Sequence, residues 1–133
     1  MLTADFDRAL LLATKHHGPQ LRKGSRIPYV SHLLGVTSLV LEAGGGETEA
    51  IAALLHDAVE DGGGPPMLAA IERDFGSDVA RIVDANSDTD VEPKPEWRVR
   101  KENYIAAIAH KQPDELLVSI ADKLHNARAI LLD

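Results

Sequence analysis

The chain of 133 residues contains no cysteine. This absence excludes a disulfide framework and any thiolate metal site, so a bound metal would need nitrogen and oxygen ligands. It also agrees with a location in the cytoplasm, although many periplasmic proteins lack cysteine too.

Long apolar stretches are missing as well. No run approaches the roughly 20 residues that cross a bilayer. Asp5 and Asp7 precede only the short run ALLLA, which is unlike a signal peptide. We therefore expect a cytoplasmic protein with no membrane partner, and its length predicts a single domain over residues 1–133.

Basic charge is scarce, because 14 Lys and Arg face 21 Asp and Glu and give a formal net charge of -7. This balance argues against a nucleic-acid polymer as partner. The positive charge that is present is concentrated in residues 15–26 and 94–101. Two such clusters suit a compact anion, such as a phosphorylated small molecule, but charge alone leaves two solvated loops as an equal alternative.

Apolar residues recur at intervals of three and four along almost the whole chain, without a convincing two-residue alternation. The pattern predicts an all-α fold, a compact orthogonal bundle of about seven helices. Thr3, Thr48 and Ser77 are the predicted caps of the first, third and fifth helices. A loop precedes a sixth helix opening near Pro95, and Pro113 opens the last helix.

Four polar residues lie on apolar helix faces. The third predicted helix runs through Val59 and carries His56 and Asp57; His32 heads the second, and Asp122 lies on the last. A buried carboxylate needs a partner, because burying an unpaired charge costs several kcal/mol. Each residue alone is more often structural. Together they suit a divalent cation, with manganese favoured over zinc, iron or magnesium.

Two further acids follow the His-Asp pair. Glu60 and Asp61 lie four residues after His56 and Asp57, so a continuous helix would project them from the same side, one turn on. There they could orient a water, take its proton or protonate a leaving oxygen. A solvated C-terminal turn is the alternative.

Six blocks follow one another between residues 16 and 128: HHGPQLRKG, IPYVSH, ALLHDAVED, FGSDVARIV, WRVRKENY and ADKLHNAR. The series resembles the HD-domain phosphohydrolases, and the resemblance runs from about residue 9 to the last residue. Within them it is similar to the (p)ppGpp hydrolase domain of RelA/SpoT proteins, which act in the stringent response, and to small stand-alone bacterial HD proteins.

The resemblance implies a single metal ion, usually manganese, held by His32, His56, Asp57 and Asp122. It implies that Glu60 and Asp61 activate or position the attacking water. It further implies that the nucleotide contacts Arg22, Lys23 and, at the ribose or phosphate, Asn126. In the reaction of the family, water attacks the 3′-diphosphate of (p)ppGpp and pyrophosphate leaves.

The sequence also departs from the RelA/SpoT pattern. Leu33 follows His32 where those domains usually have His-Pro, a change that leaves the ligand in place. Ala127 and Ala129 follow Asn126 where the stringent-response enzymes contact the base, so guanine selectivity stays open. The family generally continues with further helix, which leaves two alternatives: a missing pocket wall, or one supplied by a neighbouring subunit in a homo-oligomer.

The second basic cluster supplies further candidates. Arg98 and Lys101 are three residues apart and could gather phosphate on one helix face, with a solvated face as the alternative. Four other histidines are interpreted as structural, with His17 in the core: His16, His17, His110 and His125.

Two other functions stay open beside (p)ppGpp hydrolysis. The first is a phosphatase acting on another nucleotide, such as NADPH. The second is a catalytically silent, metal-bound nucleotide sensor. The pair of acids at Glu60 and Asp61 favours an enzyme, because a module that only binds does not need to activate water.

Overall fold

The computed structural model describes residues 1–87 and 96–132, except the side chains of residues 62, 104, 107 and 108. Seven α-helices occur there: α1 (Ala4–His17), α2 (Val30–Glu42), α3 (Glu47–Leu55), α4 (Gly64–Phe75), α5 (Ser77–Ala85), α6 (Trp97–Ile108) and α7 (Pro113–Leu132). Those residues contain no strand, only an isolated bridge between Leu21 and Pro28. The prediction of an all-α fold is confirmed. Among the described helices, none is long and apolar enough to cross a membrane.

Several helix boundaries follow the sequence signals. Thr3 caps α1, since its side chain accepts a hydrogen bond from the backbone N–H of Asp5 at 3.2 Å. Gly18 ends α1 with a positive φ of 38°. Pro113 opens α7, where no backbone N–H is needed. The predicted loop and start of the sixth helix fall mainly on residues 88–95, which lie outside the described part of the chain.

Two predicted caps were wrong. Thr48 lies inside α3, which follows Gly46; the Gly46 N–H donates to the Glu49 carboxylate at 3.4 Å. Ser77 is the first residue of α5 and makes no capping hydrogen bond. Gly76 precedes it with φ 99°, a conformation that glycine adopts without strain, so one residue both ends α4 and begins the next helix. In both junctions a glycine takes the place that sequence reasoning gave to a hydroxyl.

The third helix is also shorter than predicted. The α-helical part ends at Leu55, and a π-helical turn, Val59–Gly63, joins it to α4. Close packing requires a glycine in this turn, because a Cβ at Gly63 would lie 2.4 Å from the Met67 Cβ. The residues from Val59 onward therefore follow π-helical rather than α-helical geometry, so α-helical spacing no longer predicts the directions of Glu60 and Asp61.

Helix α3 forms the centre of the bundle. It packs against α1, α2, α5 and α7, and every residue from Ala50 to Leu55 is buried. Each fully buried Leu or Ile contributes roughly 1.5–3 kcal/mol. The largest fully buried apolar side chains of the described residues, including two from α3, are Leu33, Val36, Val40, Leu54, Leu55, Ile71, Ile82, Val83 and Val118. The end of α3 thus delivers the residues that follow it into the core.

Helices α2 and α7 approach closely beside this point. A Cβ at Gly35 would lie only 2.2 Å from the His125 Nε2, so the imidazole of α7 occupies the space that any side chain at position 35 would need. This contact brings the first turn of α2 next to the middle of α7.

Candidate active site

Four side chains from three parts of the chain meet at the end of α3. His32 comes from the first turn of α2, His56 and Asp57 follow α3, and Asp122 comes from α7. One ligand atom from each lies within 4.8 Å of the others, so the group could hold a metal ion. The structure brings together all four residues that the resemblance implies as metal ligands.

The carboxylate of Asp122 is the meeting point. Its Oδ1 lies 2.9 Å from the His32 Nε2 and 3.1 Å from the His56 Nε2. The Asp57 Oδ2 lies 3.1 Å from the His56 Nε2 and 3.7 Å from that of His32. Two imidazole nitrogens and two carboxylates facing one point form a donor set that suits a divalent cation of borderline hardness.

A hydrogen bond to the backbone orients the ring of His56. Its Nδ1 donates to the backbone carbonyl of Ala53 at 2.6 Å, because a carbonyl oxygen can only accept. Nε2 is thereby turned toward the two carboxylates. A metal-ligating histidine is commonly held in this way by a partner on its other nitrogen.

The cluster carries strongly shifted pKa values. Burial favours the neutral ring of His56, but the carboxylates of Asp57 and Asp122 outweigh it and hold the His56 pKa well above its ordinary value. Burial raises the pKa of Asp57 and of Asp122, but the facing histidines outweigh it and lower both pKa values. The carboxylates of Asp57 and Asp122 therefore stay ionised and favour positive charge at the point that they face, which is the environment that a cation requires.

Tyr29 supports the cluster and was missed in the sequence. Its hydroxyl donates a short hydrogen bond to the Asp57 carboxylate. Burial raises the Tyr29 pKa strongly, and the charge of Asp57 raises it further, so the phenol stays a donor. Its position three residues before His32 was an available signal, because that spacing puts both side chains on one helical side.

The side chains of Glu60 and Asp61 have different surroundings. Glu60 lines the same cavity as Asp57. Asp61 donates its backbone N–H to the Asp57 carbonyl at 2.9 Å, while its carboxylate accepts from the Gln20 side chain at 3.2 Å. The Asp61 Oδ2 also lies 3.8 Å from the Nδ1 of His17, a ring that is buried as predicted. The π-helical turn thus gives the acids different neighbours.

A cavity of about 360 Å³ opens above the cluster. Five Lys and Arg residues and three acids are among its lining residues: Arg22, Lys23, Tyr29, His32, Asp57, Glu60, Ala85, Asn86, Ser87, Arg100, Lys101, Asp122, Lys123 and Asn126. Two of the acids, Asp57 and Asp122, belong to the candidate metal cluster, and the five cations line the same cavity. Such a cavity suits a polyanion that reaches a metal through its phosphate.

Arg22 and Asn126 are joined across the cavity. The Arg22 guanidinium donates to the Asn126 side-chain oxygen at 3.1 Å and also lies 3.3 Å from the Nδ1 of His125. The Asn126 amide is 3.5 Å from the Asp122 Oδ1. The resemblance implies that Arg22, Lys23 and Asn126 contact the nucleotide, and all three line this cavity.

Helix α6 presents a different pair of cations from the one predicted. Arg100 and Lys101 line the cavity, whereas Arg98 does not. The Arg98 side chain is 80% exposed and pairs with Glu102 at 3.2 Å. Sequence reasoning also missed Lys123, whose Nζ lies 3.4 Å from the Asp122 Oδ2. Spacing along α6 could not show which side of the helix turns inward.

Comparison with known proteins gives concordant matches. Residues 9–132 match the family described as HD domain. The guanosine-3′,5′-bis(diphosphate) 3′-pyrophosphohydrolase MESH1 of Xenopus tropicalis is 38% identical over 130 residues, which cover 92% of this chain and 70% of that protein. The probable GTP pyrophosphokinase of Mycobacterium leprae is 38% identical over 127 residues. That match covers 92% of this chain but only 15% of the relative, so the chain spans a small part of its length.

One solved structure is similar throughout. It belongs to a metazoan ortholog of SpoT that is described as hydrolysing ppGpp, and it superposes with a TM-score of 0.87 at 32% identity. The match covers 99% of this chain and 73% of the other. The helical arrangement around the candidate site is therefore shared with a hydrolase of known fold.

Proposed function

This chain belongs to the HD-domain family, and we propose that it is a metal-dependent phosphohydrolase acting on a small nucleotide. The favoured substrate is (p)ppGpp, attacked by water at its 3′-diphosphate so that pyrophosphate leaves. The relatives named for this reaction, and the solved SpoT ortholog, support the proposal. We further propose that the catalytic unit is a single domain.

One observation carries the proposal: three members of a cluster of two buried histidines and two half-buried aspartates line a cavity that five cations also line. An acidic cluster alone would attract metals but repel phosphates. Cationic walls alone would bind phosphates without a means to cleave them. The combination supports cleavage of a phosphate ester.

We propose His32, His56, Asp57 and Asp122 as the ligands of one divalent ion. Manganese is favoured because the resemblance implies it, and the imidazole nitrogens and carboxylate oxygens are compatible with that ion. A bound cation of this kind lowers the pKa of water and offsets negative charge on phosphate oxygens.

The chain's own residues have separate roles in this proposal. Glu60 lines the cavity and takes the proton of the attacking water. Asp61, whose carboxylate accepts a hydrogen bond from Gln20, helps to position that water, as the resemblance implies. Arg22 and Lys23 hold the transferred diphosphate by charge-assisted hydrogen bonds. Asn126 contacts the ribose or phosphate, and cations of α6 add a weaker contact.

The test is product release by the Mn²⁺-loaded protein against a nucleotide panel that includes ppGpp and NADPH. We expect pyrophosphate from ppGpp, with loss of release in His56→Ala and Asp57→Ala. Phosphate release from NADPH alone would keep the phosphohydrolase and replace the substrate. Nucleotide binding without any release, in protein shown to contain metal, would overturn the enzyme and favour a sensor.

A further inference from the structure

His125 lies behind the candidate metal ligand His32. It is half-buried on α7, three residues after Asp122. Its Nδ1 is 2.9 Å from the Nδ1 of His32 and 3.3 Å from a guanidinium nitrogen of Arg22. One imidazole nitrogen therefore meets both a candidate metal ligand and a candidate phosphate-binding residue.

The direction of these hydrogen bonds follows from the groups involved. A guanidinium carries only donors, so the His125 Nδ1 that faces Arg22 must be the acceptor. The His32 Nδ1 facing the same atom must then carry a hydrogen. The lone pair of the neutral His32 ring is thereby placed on Nε2, the atom that faces Asp122 at 2.9 Å.

The same logic operates at the second histidine of the cluster. The Ala53 carbonyl accepts from the His56 Nδ1 and turns its Nε2 toward Asp122. The His125 ring stands in the corresponding place behind His32. The first support is backbone and cannot be removed by substitution, whereas the second is a side chain and can be.

The fold makes room for this ring. Because a Cβ at Gly35 would lie 2.2 Å from the His125 Nε2, position 35 accommodates the imidazole only as glycine. The ring centroids of His32 and His125 are 5.0 Å apart. His125 also lines a second cavity of about 350 Å³.

We propose that His125 is a positioning residue that fixes the Nδ1–H form of His32 and holds Arg22 at the cavity. It links metal binding to phosphate binding through one shared acceptor atom. This inference rests on the proposed function, since it assigns a role to a residue behind the proposed metal ligands. It gives a role at the site to His125, a residue that the sequence alone indicated as structural.

The first test is a calorimetric titration with Mn²⁺ alone, made on wild type, His125→Ala and His125→Gln. We expect His125→Ala to weaken Mn²⁺ binding by about 10- to 100-fold, as changes behind metal ligands do. His125→Gln should recover part of the loss, because its side-chain oxygen can accept from both neighbours. His110→Ala removes an exposed imidazole from the same chain and serves as the matched control.

Circular dichroism and thermal melting establish that each variant is folded. Gly35→Ala provides an independent variant, because it displaces the His125 ring without deleting it. Mn²⁺ affinity within twofold of wild type in folded His125→Ala would overturn the inference. If His125→Gln bound Mn²⁺ no better than His125→Ala, the acceptor role would also be overturned.

A His56→Ala control separates this inference from the proposed function. Strong Mn²⁺ binding by wild type, lost in His56→Ala but unchanged in His125→Ala, would refute only the role of His125. Wild-type protein that failed to bind Mn²⁺ would overturn both. With ppGpp as substrate, His125→Ala should also raise KM through Arg22, an effect that a change confined to the metal would not predict.

Discussion

The two walls of the 360 Å³ cavity differ in how the chain holds them. On the metal wall, His32 and His56 are 2% exposed, and each ring nitrogen has a neighbour at hydrogen-bonding distance. The other wall, the α6 wall, includes Arg100 and Lys101 of α6. Nearby on that helix, Arg98 is 80% exposed, and its described partner, Glu102, belongs to the same helix. One wall is built into the core; the other is a solvated helix surface with a few inward side chains.

We infer from this difference that the metal wall serves the reaction and the α6 wall serves substrate recognition. The metal wall joins α2, α7 and the end of α3, so a change there disturbs several helices at once. The described side chains of α6 are exposed, except for a half-buried Arg100, so they can change with little cost to the core. We expect the metal wall to fix the reaction and the cationic wall to tune which phosphorylated molecule is accepted.

The largest effect is expected from Asp122→Ala. The change removes the carboxylate that both histidines face, so Mn²⁺ affinity should fall by more than the roughly 100-fold of a change behind a ligand. Turnover should disappear with it. Calorimetric Mn²⁺ titration and a product assay measure both, with the exposed Asp84→Ala as control. Retained tight Mn²⁺ binding would remove Asp122 from the proposed ligand set.

Glu60→Gln should break the chemistry while leaving the metal wall intact. The amide cannot take a proton from water, so kcat should fall by about 10²–10⁴-fold. Mn²⁺ affinity should stay near that of wild type, because Glu60 is outside the four-residue cluster. Glu72→Gln, an exposed acid on α4, is the matched control. A kcat within tenfold of wild type would contradict the proposed role of Glu60.

Arg22→Ala tests the proposed contact between the Arg22 guanidinium, which lines the cavity, and the substrate. A hydrogen bond to a charged group contributes roughly 1.5–3 kcal/mol, which predicts a KM for ppGpp raised by about tenfold or more. The exposed Arg26→Ala in the same loop should leave KM within about twofold. Steady-state kinetics compares the two. Equal KM values for both variants would show that net charge, and not a placed guanidinium, binds the substrate.

Arg100→Ala and Arg98→Ala sharpen the comparison within one helix. Arg100 lines the cavity, so its loss should raise KM several-fold, as expected for a partly solvated ion pair of about 1 kcal/mol. Arg98 pairs with Glu102, so its loss should change KM by less than about twofold. The paired kinetic measurement decides between the cavity geometry and the spacing that favoured Arg98 and Lys101. A larger effect at Arg98 would reverse the assignment.

Most helix positions could be predicted because proline, glycine and apolar spacing act locally. The signals at Thr3, Gly18 and Pro113 depend on neighbours within one turn. Thr48 and Ser77 failed because a glycine two residues or one residue earlier took the pre-helix position.

The candidate metal ligands could be predicted, but their supports could not. A charged residue on an apolar helix face is visible in the sequence, because its burial requires a partner. The contact of Tyr29 with Asp57 joins positions 28 apart, and that of His125 with His32 joins positions 93 apart. Such contacts depend on how helices cross. Periodicity places residues on one helix only, and it therefore gave His125 a structural role.

The separation of the metal-cluster residues along the chain has a consequence for folding. The His56–Asp122 contact closes 66 residues, and the His32–Asp122 contact closes 90. Closing a loop costs entropy that rises with its length, so contacts of such long range are favourable only when the packing of the helices offsets that cost. The fourth ligand therefore arrives when α7 docks against α2 and α3. Capture of the ion would then follow the docking of these helices, and a bound ion would report that α2, α3 and α7 are packed together.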